Sequence, residues 1–280
     1  MKVLVTGTTG MLGSAVVRDL KRFNLFYDVI ESGPSSDRDL TDLDTARDFV
    51  NTEKPDVIIH LAAVTSLNEC KKNPDKANTL HADLTKVLAS SCKRMIYVST
   101  DSVFDGVAST PYGETSDANP VNVYAKSKLI GEAAAINNNK NSVIIRTNIF
   151  GCKPGMLADW AIQSYKDNEK IDGYVNVKFN PVYVGDLAIA IRKAIDHDIT
   201  GVINVAGDTC LSKYHFLKLL YKRFIMDTEM IKPKTYVDHG QELQRPKYTC
   251  LQTGLFEKEF DHIFSLDQGL DKLFEEYKGE

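Results

Sequence analysis

Tyr124 and Lys128 stand four residues apart in Val123-Tyr124-Ala125-Lys126-Ser127-Lys128, a spacing that puts both side chains on one face of a helix. A phenol with a pKa of about 10 is a poor proton donor and acceptor near neutrality until an adjacent ammonium favours the phenolate. Lys128 is placed to be that ammonium and to hold the ribose of a dinucleotide. Thr100 offers a hydroxyl to a substrate carbonyl while hydride arrives from a nicotinamide and Tyr124 supplies the proton. The spacing alone is weak evidence, because chance gives about one Tyr-x-x-x-Lys in a chain of this composition and three occur. Tyr174/Lys178 lies in a glycine-bounded, strand-like stretch and Tyr214/Lys218 on a late helix, so both read as structural or surface pairs. Only Tyr124/Lys128 falls between Ser99-Thr100 and the next apolar strand, where the chain can return to a nicotinamide.

A second constellation opens the chain. Gly7-Thr8-Thr9-Gly10-Met11-Leu12-Gly13 follows a buried strand and leads into an apolar helix, so its amides and the helix dipole can face a pyrophosphate. Glycine suits the tight turn and the close approach of backbone to phosphate. Cofactor choice rests on Glu31-Ser32-Gly33-Pro34-Ser35-Ser36-Asp37-Arg38-Asp39. Glu31 could serve the ribose hydroxyls of NAD, whereas Ser32, its neighbouring serines and Arg38 could serve a 2′-phosphate; the reading favours NADP(H) over NAD(H).

The elements that must carry these groups follow from periodicity. Short Val/Ile-rich runs at Lys2–Thr6, Asp28–Glu31, Val57–Leu61, Met95–Ser99 and Val143–Arg146 read as strands buried on both faces. Helix-periodic segments at Met11–Phe23, Asp42–Thr52, Pro74–Ser91 and Val123–Ile136 lie between them, with Thr41 or Asp42 as an N-cap and Pro74 at a first helical position. This alternation predicts an α/β fold with a doubly wound parallel sheet over residues 1–150. After Gly151 the rhythm breaks at Pro154, Gly155, Gly173 and Pro181, and helical runs recur at Asp186–Asp196, Ser212–Phe224 and Asp267–Tyr277. Residues 151–280 are expected to form mainly a smaller substrate-binding lobe, interleaved with the sheet through segments near 181–206 that include a strand at Val202–Ala206.

Composition narrows the partners. A net charge of -4 with dispersed lysines gives no footprint for nucleic acid. The N-terminus reaches Gly7 before a signal-peptide core could form, and no run of about 18 apolar residues is present; the expectation is a cytoplasmic protein without a membrane span. The five cysteines are at least 22 positions apart and suggest reduced thiols, neither a disulfide framework nor a zinc site.

Beyond these features, the chain resembles the dTDP-4-dehydrorhamnose reductase family of the extended short-chain dehydrogenases/reductases. The resemblance rests on the Gly-x-x-Gly-x-x-Gly turn, Arg38-Asp39-Leu40-Thr41-Asp42, Lys54-Pro55-Asp56 through Leu61-Ala62-Ala63, and Met95 through Gly106. It continues through Asn119-Pro120-Val121-Asn122-Val123-Tyr124, Arg146-Thr147, Pro181-Val182-Tyr183-Val184-Gly185-Asp186-Leu187-Ala188 and Arg245-Pro246. It spans almost the whole chain and implies a Rossmann-type domain that reduces a 4-keto nucleotide sugar. Cofactor contacts are implied at Gly7, Gly10, Met11, Leu12, Gly13, Leu61, Ala62, Ala63, Ser99, Tyr124 and Lys128, with Asp39 and Leu40 near adenine and Asp186 capping its helix. Substrate is expected to meet Thr65, Ser102, Val103, Asn148, Ile149 and the loop around Met156–Trp160. Ser102 and Ile149 stand where many relatives carry tyrosine and tryptophan, so an aromatic wall is expected to be missing. Ala15 replaces an acidic residue that binds an interfacial magnesium in some members, so no metal is expected. A homodimer is the family-level expectation. Two alternatives share the same fold: a nucleotide-sugar epimerase, and a non-catalytic regulatory subunit like that of methionine adenosyltransferase.

Overall fold

The computed structural model describes residues 1–237 and 244–279. Strands β1 (Lys2–Thr6), β2 (Asp28–Glu31), β3 (Val57–His60), β4 (Arg94–Val98), β5 (Val143–Thr147) and β6 (Gly201–Val205) form one sheet in the order β6-β5-β4-β3-β1-β2. Every neighbouring pair is parallel. Parallel strands need crossovers, and these are the helices of the sequence reading. The chain switches direction across the sheet at β1, and the crevice this opens lies at the strands' carboxyl ends.

Both faces of the sheet are covered. Val3 and Val5 point into the larger core with α1 (Met11–Lys21) and α8 (Val184–Asp196), whereas Leu4 points into the smaller one with α2 (Leu43–Glu53), α5 (Leu84–Ala89) and α6 (Val123–Asn138). Asp42 caps α2 by accepting from the Asp44 amide, and Pro74 opens α4 (Pro74–Asn78). Residues beyond 150 return to the sheet, where Gly201 pairs with Val143. They also form α7 (Leu157–Lys166), α9 (Lys213–Arg223), α10 (Gly254–Phe260), α11 (Leu266–Lys278) and two-stranded pairings such as Ile171–Tyr174 with Ile231–Lys234. Among the described residues, no helix is long and apolar enough to cross a membrane.

Four details differ from the sequence reading. The segment read as one helix over Pro74–Ser91 is α4 and α5 joined by a π-helical turn at Thr79–Asp83. Helices α3 (Leu67–Lys72), α7 and α10 were not anticipated. Asp186 does not cap α8, whose N-cap Tyr183 makes no side-chain cap bond; the buried carboxylate pairs instead with Lys272 of α11. Cys210 and Cys250 form a disulfide, correcting the expectation of reduced thiols throughout, while Cys70, Cys92 and Cys152 are not disulfide-bonded. Their distance in sequence concealed a Cα separation of 5.7 Å.

Candidate active site

The centre is assembled from the ends of β4 and the start of α6. Asn122 caps α6 by accepting from the Ala125 amide at 2.9 Å and donates to the Gln244 carbonyl at 3.0 Å, which fixes the first turn bearing Tyr124. Thr100, just past β4, places its hydroxyl near the Tyr124 phenol. Burial pushes that phenol up to about 12, with the Thr100 hydroxyl lowering it and the Asp101 charge raising it. This corrects the expectation that Lys128 lowers it: the Lys128 ammonium lies 3.9 Å from the centroid of the Tyr97 ring, and Thr100 supplies the downward pull. Burial likewise pushes Lys128 down to about 7, against the Glu132 charge. Desolvation dominates both groups because each is enclosed.

Behind this centre, Glu132 and Arg146 form an ion pair at 2.7 Å with side chains only 4% and 6% exposed. Ser99 donates its hydroxyl to Glu132 at 2.5 Å, so the hydroxyl of this expected cofactor contact is engaged by the structural pair.

The glycine turn is a narrow backbone cradle. Gly7 has φ +69°, and a Cβ there would lie 2.7 Å from the Ala62 amide; one at Gly13 would lie 2.1 Å from the Gly7 carbonyl. Side chains are therefore excluded from the face where β1, the turn and the β3 loop meet. Gly10 caps α1 with no side-chain bond, leaving the Met11 and Leu12 amides at the helix start without an intrahelical partner and able to bind an anion. These features fit a dinucleotide pyrophosphate. Leu61 and Ala62 donate their amides to Thr6 Oγ1, which holds the β3 loop, including Ala63, beside the cradle. Near the end of β2, where adenine is expected, Arg38 donates to the Ser32 carbonyl at 2.9 Å and stacks 3.5 Å over the Phe49 ring. Glu31 is paired with Lys21 at 2.7 Å. Asp39 closes its own turn by accepting from Thr41, which holds its carboxyl below the usual range, and Leu40 is buried in the smaller core.

A cavity of 710 Å³ opens beside Tyr124 and includes Thr65, Asp101, Ser102, Asn148 and Met156. Asp101 is buried, and it accepts from Thr100, Ser102 and Asn148; burial raises its carboxyl against those bonds. Val103, expected to meet substrate, is wholly buried with Phe104 and Tyr112, and Ile149 packs against the main core; neither lines the cavity. Part of the lining was not anticipated. It carries Lys213, Arg245, Tyr174, Tyr236 and Phe179, so aromatic side chains missing at positions 102 and 149 are supplied from the C-terminal half. Tyr174, read from its glycine-bounded stretch as half of a structural or surface pair, is one of them. Burial and the neighbouring Arg245 lower the Lys213 ammonium, while Asp101 raises it. Only Arg245 stood in a recognised motif, Arg245-Pro246, and no role was read for it there; the tertiary fold brings the others to it.

A Tyr-x-x-x-Lys helix at the carboxyl edge of a doubly wound parallel sheet, facing a glycine cradle, is the arrangement of the extended short-chain dehydrogenases/reductases, a class of nicotinamide-dependent oxidoreductases. The family model described as RmlD substrate binding domain matches residues 1–278, and the chain belongs to that family. A dTDP-4-dehydrorhamnose reductase from Clostridium acetobutylicum superposes with a TM-score of 0.92 at 28% identity, over 99% of this chain and 100% of that one. The dTDP-4-dehydrorhamnose reductase of Bacillus anthracis, solved in complex with NADP, gives 0.91 at 26% identity, over 98% of this chain and 99% of that one. Methionine adenosyltransferase 2 subunit beta from Danio rerio is 29% identical, covering 91% of this chain and 84% of that protein.

Proposed function

We propose that this chain is an NAD(P)H-dependent reductase of a 4-keto nucleotide sugar, similar to dTDP-4-dehydrorhamnose reductase. The observation that carries the reading is Tyr124, with Thr100 beside its phenol, on the lining of a cavity that also holds Lys213 and Arg245. A diphosphate recognised by the two cations would leave the attached sugar to reach the hydroxyl pair.

The nicotinamide, when bound, supplies the hydride. The amides of the glycine turn would hold its pyrophosphate, Lys128 a ribose, and Arg38 a 2′-phosphate, so we assign NADP(H) as the preferred cofactor. Thr100 orients the ketone oxygen by hydrogen bonding. Tyr124 donates the proton that converts that oxygen to a hydroxyl, and its elevated pKa keeps the phenol loaded with the proton at neutral pH.

The test is cofactor oxidation with a panel of 4-keto dTDP-, UDP-, GDP- and CDP-sugars. Tyr124→Phe is expected to lower kcat by about 10²–10⁴-fold, the usual worth of a general acid. Arg38→Ala is expected to raise the KM for NADPH about tenfold while leaving that for NADH unchanged. Full turnover by the Tyr124 variant refutes the mechanism, and equal effects on both cofactors refute the NADP assignment. Sugar interconversion without net cofactor oxidation would identify an epimerase. No turnover across the panel, with an altered rate in a co-purifying enzyme, would identify a regulatory subunit.

A further inference from the structure

Two buried histidines outside the Thr100, Tyr124 and Lys128 centre have tautomers fixed by their hydrogen bonds. Thr6 Oγ1 accepts from the amides of Leu61 at 3.1 Å and Ala62 at 3.2 Å, and lies 2.7 Å from His60 Nδ1. With both lone pairs engaged, the Thr6 hydroxyl gives its proton to Nδ1. His60 therefore carries its own proton on Nε2, which donates to the Leu80 carbonyl at 3.1 Å.

His81 is the opposite tautomer. The Val64 amide donates to its Nε2 at 3.0 Å, so the ring proton is on Nδ1 and is given to Ser127 Oγ at 2.8 Å. Ser127 in turn donates to the Tyr124 carbonyl at 2.8 Å. Three consecutive bonds thus run from the loop beside the cofactor cradle to the backbone of the residue bearing the phenol. The His81 ring is fully buried and stands edge-on to the Tyr124 ring, with centroids 5.8 Å apart. It sits in the π-helical turn, where its carbonyl accepts from Thr85 at 2.7 Å and from Tyr97 at 3.1 Å. A π turn in this position is a common mark of function.

We propose that His81 is a positioning residue, whose neutral Nδ1–H tautomer clamps the Val64 loop to α6 and so sets the distance between the cofactor side of the site and the Tyr124 phenol. The inference rests on the reductase reading in taking Tyr124 as the proton donor. Burial, followed by the Lys128 and His60 charges, pushes His81 down to about 2, so the ring keeps the lone pair that Val64 needs. A protonated ring would present a donor to a donor.

Two substitutions cut the clamp at different ends. His81→Asn retains a donor near Ser127 and loses the acceptor for Val64; His81→Gln retains an acceptor for Val64 and loses Ser127. Each is expected to lower kcat by about 10- to 100-fold, the cost of misplacing a reacting group by about an ångström, with substrate KM nearly unchanged. Ser127→Ala is expected to lower kcat further in the Asn variant and not in the Gln variant, where that bond is already gone. Variants that lose thermal stability but keep wild-type kcat and pH profile overturn the proposal.

Nitrogen NMR of isotope-labelled histidine supplies a readout that needs no substrate and uses the wild-type chain. A neutral His81 with its proton on Nδ1 is expected; an Nε2–H tautomer or a cation at neutral pH overturns the clamp. The Tyr124 ring-carbon resonance, assigned by its loss in Tyr124→Phe, is expected to shift in both His81 variants, and an unmoved resonance also overturns it. Activity retained by Tyr124→Phe would sink the reductase reading instead, leaving the two spectra to decide the clamp.

Discussion

Lys128 is 3% exposed, and burial pushes its ammonium down to about 7. An unfolded lysine titrates near 10.4. Between those values the unfolded chain binds a proton that the folded chain lacks, so stability rises with pH across that window. Below pH 7 both states are charged, and the full penalty of the buried ammonium remains. Lys128→Met is expected to raise the Tm of the cofactor-free protein near pH 6 by about 3 °C or more, with the advantage shrinking as pH approaches 10, even as turnover is lost. Thermal scans across pH check this; a wild type that is the more stable at pH 6 would contradict it. Glu132 retains Arg146 in that variant, so no new buried charge is stranded. Tyr124, Lys128 and Thr100 were legible from residue type, spacing and chain position. Their pKa directions were not, because burial depends on what packs around them, and Lys128 faces Tyr97.

At the scale of elements, α6 works on both of its faces. Its first turn presents Tyr124, and Glu132, two turns further on, fastens it to β5 through Arg146 and to the end of β4 through Ser99. Removing one partner of such a pair leaves an uncompensated charge, a cost of about 3–5 kcal/mol. Glu132→Gln is therefore expected to destabilise by that amount in urea unfolding, whereas an apolar replacement of both partners, Glu132→Leu with Arg146→Met, recovers most of the loss. Equal destabilisation by the single and double variants would show that the pair contributes packing and not charge compensation. Gly131, between these functions, admits no side chain: a Cβ would lie 2.1 Å from the His81 carbonyl and 2.2 Å from the Tyr97 hydroxyl. The start of α6 at Val123 was readable from its periodicity, whereas its end lies at Asn138, two residues beyond the expected Ile136. The π turn was not, since a helix pattern over Pro74–Ser91 reports burial and carries no signature of which carbonyls shift register.

For the whole molecule, the inner strands were legible because they are buried on both faces and carry apolar runs such as Val57–Ile59 and Val143–Ile145, whereas edge strand β2, read as buried on both faces, is exposed at Asp28 and Glu31 because no strand covers its outer side. The meeting of Tyr174, Lys213 and Arg245 on the cavity lining was illegible, although Arg245-Pro246 was a recognised motif, because they come from separate segments brought together by the folded C-terminal half. The disulfide belongs to the same assembly. Cys250 follows Thr249, which lines the cavity together with Asp101, and Cys210 precedes the strand leading to Lys213. Closing a loop with a sequence separation of 40 residues stabilises the folded state by about 4 kcal/mol in the chain-entropy treatment. Reduction with excess dithiothreitol is expected to lower Tm by several degrees, and the Cys210→Ser/Cys250→Ser variant is expected to show the lower Tm with or without reductant. Thiol titration after denaturation should find three thiols before reduction and five after. Five thiols before reduction in protein purified under air, together with a reductant-insensitive Tm, would mean that the bridge does not form in solution and that hydrogen bonding alone holds the wall. The amide of Thr249 to the Lys178 carbonyl at 2.9 Å, and that of Leu251 to Asn180 at 2.9 Å, would then carry the alignment.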